Sequence, residues 1–160
     1  MTHPDSNAPA PALRASFRDR VRGAAGVRLW MYEAVPPREA MEPDQRLKRV
    51  RRIREALGSL TERVCAFFVP DIDPQETGFG ERKDAQAEWL DARDYAELIR
   101  KRIKGVEAVI CRSSVQHAEE VQRAWLRESW EKKFRAVVAI GGDSRAKRFA
   151  GPTPERFAEL

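Results

Sequence analysis

Four polar side chains close four apolar runs in this chain: Glu33, Asp71, Arg112 and Asp143. Two or three acids and an arginine brought to one place would make a site for acid–base chemistry, although each alone is also an ordinary loop residue. Glu33 is central. In the stretch 28–37, alternation sets Glu33 on the same side as Leu29 and Met31, with Trp30 and Tyr32 opposite. Pro36 and Pro37 then stop the strand, because neither has an N–H for a sheet ladder and the first biases Val35 toward extended geometry. A charge on the inner side of a strand end is costly without a partner or a task. The competing reading is a rim carboxylate satisfied by water or an arginine. Gly141 and Gly142, just before Asp143, remove side chains, so a flat ligand can approach the backbone there.

Other chemistries leave no signature. Gly-x-Gly-x-x-Gly, a Walker loop, a zinc-ligand set and a Ser-His-Asp order are all absent. No metal site is expected. Cys65 and Cys111 lie inside apolar runs without metal-ligand spacing and read as buried thiols of a reducing cytoplasm. His117 reads as a surface histidine with no second ligand or base at a useful spacing.

The elements that must position these residues alternate. Near-continuous apolar runs at 28–35, 64–69, 106–111 and 135–140 predict strands covered on both faces. Between them, Leu47, Val50, Ile53 and Leu57 form one helical face ended by Gly58, after acids at Glu39, Glu42 and Asp44 that suit a first turn. Its other face carries Arg46, Lys48, Arg49, Arg51, Arg52 and Arg54, a solvated face or, as the minority reading, a nucleic-acid surface. Asp91 caps a helix to about residue 104, stopped by Gly105. Ser113 with Gln116 fits a capping box for a long helix bearing Ala118, Val121 and Trp125 on one face. Thr153 caps a last helix with Pro154 in the favoured first position. The segment 72–90 is a long polar loop.

Before the first strand, Leu13, Phe17 and Val21 recur at four-residue spacing among arginines, which predicts a short amphipathic helix that closes the bottom of the domain. The domain division is therefore a leader with that helix over 1–26 and one α/β domain over 27–160. Strand and helix in this order imply parallel β/α units with right-handed crossovers. Both a doubly wound sheet and part of a closed (β/α)8 barrel satisfy the pattern. In either, strand ends converge at one mouth.

At 160 residues, 42% hydrophobic and 34% charged, the composition suits a single soluble domain. No stretch approaches the ~20 apolar residues of a membrane span, and no secretory signal precedes the domain. A cytoplasmic location is expected. The net charge of +5 admits an anionic partner: a phosphate-bearing cofactor, a polyglutamylated small molecule or nucleic acid.

Tyr32-Glu33-Ala34-Val35-Pro36-Pro37 resembles the Phe-Glu-Phe-Phe-Pro-Pro signature that opens the barrel of methylenetetrahydrofolate reductases. Val137 to Asp143 is similar to that family's fourth strand, which ends in Arg-Gly-Asp; here Gly141 stands in the arginine's place. The spacing and the β/α units between the two motifs agree over about residues 27–155. The resemblance implies a TIM-type (β/α)8 barrel in which NAD(P)H passes hydride to FAD, which reduces a folate substrate. It further implies that Glu33 is the general acid that opens the folate's five-membered ring and that Asp143 lies near flavin and pterin. Gly141, Gly142, Asp143, Arg112 and Asp71 would border the cofactor. A complete barrel takes about 250 residues, and this chain supplies the first four units, a half-barrel. Either it is a piece of a longer protein, or it pairs with itself or with a complementing chain.

Overall fold

The computed structural model describes residues 16–23, 29–72, 88–141 and 150–160. Four strands, β1 (Trp30–Glu33), β2 (Val64–Pro70), β3 (Glu107–Ser113) and β4 (Val137–Ile140), form one sheet in the order β1-β2-β3-β4, every pair parallel. Helices α2 (Pro43–Leu57), α3 (Ala92–Arg102) and α4 (Glu119–Glu131) connect them, α1 (Phe17–Arg22) precedes them and α5 (Pro154–Ala158) follows. The strand order has no reversal, whereas a doubly wound sheet reverses at its switch point. The fold is thus α/β and compatible with half of a β/α barrel.

Local chemistry explains the helix ends. Gly58 takes a positive φ of 48° and donates its N–H to the Arg54 carbonyl, closing α2. Asp91 accepts from the Arg93 backbone N–H at the start of α3, and Thr153 accepts from the Arg156 N–H at the start of α5.

Right-handed crossovers of equal sense put the connecting helices on one face of the sheet. There Tyr32, Phe67, Val69, Ala108, Ile110 and Val137 meet Val50 of α2, Tyr95 and Ile99 of α3 and Trp125 of α4. The opposite face has a smaller cluster of Cys65, Ala66 and Val109 with Leu29, Ala136, Val138 and Phe17. Between Trp30 and Met31 the register with β2 shifts by one residue. The shift accounts for two successive residues, Cys65 and Ala66, falling in the same cluster. The Phe17 N–H donates to the carboxylate of Glu107, the first residue of β3. Helix α1 therefore packs over the starting ends of the strands through Phe17; of the other two residues of the expected apolar face, Val21 is 48% exposed and Leu13 lies outside the described residues.

Three expectations are corrected. The first strand is not buried: Trp30 is 57% and Met31 47% exposed, because among the described residues no strand pairs with the outer edge of β1. Ser113 does not open a helix; β3 runs on through it and α4 begins at Glu119, with no side-chain cap from Ala118. Ser114 instead gives both its N–H and its hydroxyl to the Ile140 carbonyl, extending the β3–β4 ladder. Finally, the inward side of α4 is Gln122, Trp125 and Ser129, whereas Val121 is 49% exposed.

Candidate functional site

Parallel strands deliver their last residues to one end of a sheet, and here that end carries Glu33, Asp71, Arg112 and Gly141. Glu33 is the final residue of β1 and pairs in register with Phe68. Asp71 follows β2 directly, its N–H donating to the Cys111 carbonyl at 2.8 Å. Arg112 pairs in register with Ala139 of β4. Gly142 and Asp143 lie outside the described residues, so the glycine-flanked acid of the fourth strand is not part of the geometry below.

The two described acids meet different environments. Asp71 forms an ion pair with Arg112, from Nη1 to the carboxylate. Arg112 is itself buried; it donates from Nε to Gln122 Oε1 at 3.0 Å, and its guanidinium lies 5.0 Å from the centre of the Trp125 ring. Gln122, wholly buried, completes the set by donating to the Ser113 and Ser114 carbonyls at 2.9 and 2.8 Å. Arg112 follows the alternation of Ala108 and Ile110 and so points to the helix layer, where α4 holds it. Glu33, in contrast, is exposed, and no described residue forms an ion pair or hydrogen bond with its carboxylate.

Cys111 links the two acids. The thiol is buried beside them; burial first, then the negative charges of Asp71 and Glu33, push its pKa up to about 11. It is a neutral thiol at the site's edge and an unsuitable nucleophile at neutral pH.

Around Glu33 the backbone is held firmly. The Ala34 N–H donates to the Phe68 carbonyl, and Pro36 and Pro37 are fully buried. The Leu90 N–H donates to the Pro37 carbonyl, and Arg38 pairs with Trp89, the guanidinium 3.8 Å from the ring centre. The proline pair therefore does more than end a strand: it seats the loop carrying Glu33 against the lead-in to α3.

Among the described residues, an added Cβ at Gly141 would meet only Pro154 Cγ, at 3.6 Å, so they leave room for a flat group beside the exposed backbone after β4. The close approach lies further on. A Cβ on Gly151 would stand 2.2 Å from the His117 carbonyl oxygen and 2.4 Å from that of Ser114, and the Gly151 N–H donates to the Val115 carbonyl. This contact joins the loops after β3 and β4.

Sequence reasoning placed Glu33, Asp71 and Arg112 at one end of the sheet; the structure pairs Arg112 with Asp71 there on the helix side, while Glu33, next to Tyr32, turns to the opposite face. The same reasoning missed Gln122, whose signal is a polar residue three positions before Trp125, on the side of α4 that faces inward. Among the described residues no group of His, Cys, Asp or Glu is arranged to hold a metal, and no helix is long and apolar enough to cross a membrane. No protein-family model and no curated protein matches this sequence.

Proposed function

We propose that this chain is the first half of a (β/α)8 barrel of the methylenetetrahydrofolate reductase type, a flavin-dependent reductase acting on a folate-type substrate. The observation that carries the reading is the contrast between the two rim acids. Asp71 has its charge compensated by Arg112, while Glu33 stands exposed on a braced strand end with both oxygens available to a ligand.

In this reading Glu33 gives a proton to the substrate nitrogen that leaves as the folate ring opens. The Arg112–Asp71 pair, fixed by Gln122 and Trp125 on the helix side of the sheet, braces the rim from behind and makes no contact with the cofactor, contrary to the border role the resemblance gave it. Bare backbone at Gly141 suits the face or edge of a flat ring, which is the fit this chain offers to FAD among its described residues. FAD, when bound, supplies a hydride obtained from NAD(P)H. The buried Cys111, neutral at physiological pH, adds no competing nucleophile.

The test is a titration of FAD into the chain, alone and mixed with a separately expressed (β/α)4 polypeptide from a folate reductase, read by flavin fluorescence. Saturable binding is expected in the mixture, with Glu33→Gln retaining FAD while losing folate reduction. Absence of FAD binding in both samples would remove the redox assignment.

A second reading has its own support: Trp30 and Met31 on one outer strand and Ile140 on the other are each close to half exposed or more. Those edges would serve a non-catalytic module that pairs with itself or another chain.

A further inference from the structure

On the helix side of the sheet, α2 and the end of α3 enclose a groove of about 370 Å³. Its floor is apolar, formed by Leu47, Val50 and Ile103, of which Val50 and Ile103 are buried. Its rim is cationic: Lys48, Arg51, Arg54 and Arg102, against the single acid Asp44. Arg51 has only a loose, exposed contact with Glu55 at 3.5 Å, and among the described residues Lys48, Arg54 and Arg102 have no ion-pair partner. Two of the three remaining arginines of α2 are used differently: Arg46 donates to the Met41 and Glu39 carbonyls and Arg49 to that of Val35.

We infer that this groove binds a small phosphorylated molecule with an apolar body, of the nucleoside diphosphate class. The volume falls within the ~300–1,000 Å³ of small-molecule sites, and the lining has their usual form, an apolar base with a few convergent polar groups. Guanidinium forks match phosphate oxygens in pairs, so three arginines and a lysine about one floor suit a diphosphate better than a single carboxylate. A polynucleotide would call for cations spaced along a track. Here Lys48, Arg51 and Arg54 stand at three-residue steps over only about 9 Å of α2, Arg102 faces them from α3 across the same hollow, and Arg52 on the same helix stands outside it. Helices of β/α units run antiparallel to their strands, so Arg54 and Arg102, late in α2 and α3, lie toward the end of the sheet remote from Glu33. The Arg54–Arg102 end of the groove is thus remote from the proposed catalytic rim, its other end being lined by Asp44 in the first turn of α2, and the inference stands whether or not that proposal does.

The experiment uses the fluorescent probe mant-ADP with the 160-residue chain. Saturable binding is expected, displaced by ADP and not by adenosine. Arg54→Glu with Arg102→Glu should weaken it by about tenfold or more, while Arg52→Glu, equal in charge change to either single substitution, should stay within about twofold of the parent. Far-ultraviolet circular dichroism confirms that each variant is folded; these positions are exposed. No saturation below about 1 mM, equal weakening by Arg52→Glu, or tighter binding of a short single-stranded DNA would each overturn the assignment.

Discussion

At the scale of single residues, the buried polar groups near the site make the sharpest predictions. Gln122 satisfies Arg112 and two carbonyls at once. Gln122→Leu removes the partner of the Arg112 Nε and of both carbonyls, Arg112 keeping only Asp71, and should cost about 2–4 kcal/mol in chemical denaturation; a loss under about 0.5 kcal/mol would show that the network matters little. Cys111 makes a prediction in pH. Its thiol pKa is about 11 in the folded chain against an ordinary 9.0, so the unfolded state ionises first. Its contribution to stability is complete below pH 9 and lost as pH rises through about 11, roughly 2–3 kcal/mol at one unit per 1.36 kcal/mol. Unfolding curves of the parent and Cys111→Ala should therefore converge across that window, and parallel curves would contradict the assignment. Tyr95 makes the opposite kind of case. Its hydroxyl is fully buried and makes no hydrogen bond of good geometry, with the Arg49 guanidinium at most a weak donor to it. Removing an unpaired hydroxyl relieves a desolvation cost, so Tyr95→Phe should leave stability unchanged or raise it by up to about 1 kcal/mol. A clear loss on denaturant titration would mean that the hydroxyl has a partner.

At the scale of elements, the loops at the strand ends depend on close backbone contact. Gly151 is required because His117 and Ser114 carbonyls occupy the space of a side chain, and no glycine-specific φ is involved. Gly151→Ala should destabilise by about 1–3 kcal/mol, the range for overpacking, and it should speed hydrogen exchange at Val115 and Ser114 first. Uniform acceleration over the whole sheet would argue against a local clash. Helix α4 shows how an element can be recognised and still be misoriented. An apolar stripe through Val121 is a sound reading of the pattern, yet the helix turns Gln122 inward and leaves Val121 in solvent. The hydrogen-bond demand of Arg112 and the Ser113 and Ser114 carbonyls outweighs the burial of one valine.

At the scale of the molecule, the parallel sheet leaves the outer edges of β1 and β4 unpaired among the described residues. Apolar surface at unpaired strand edges favours pairing with another chain, so sedimentation velocity should show association that grows with concentration. Met31→Lys and Ile140→Lys, which put charges on β1 and β4, should shift the distribution to monomer. A parent that stays monomeric at all concentrations would show that these edges are not adhesive.

Much of this organisation was legible in the sequence, because strand runs, glycine stops and capping residues are local signals. The alternation of β and α units, the stop at Pro36-Pro37 and the caps at Asp91 and Thr153 all follow from neighbours a few residues apart. The end-of-strand placement of Glu33, Asp71 and Arg112 was equally readable, since parallel strands must release their last residues on the same side. What tertiary structure alone decided was how those charges are used. Arg112 bonds to Asp71, 41 positions away, and to Gln122 on a separate helix, while Glu33 is left exposed. Side-chain pairing between distant segments depends on the register of strands and the rotation of helices, and neither is encoded in any short stretch of residues.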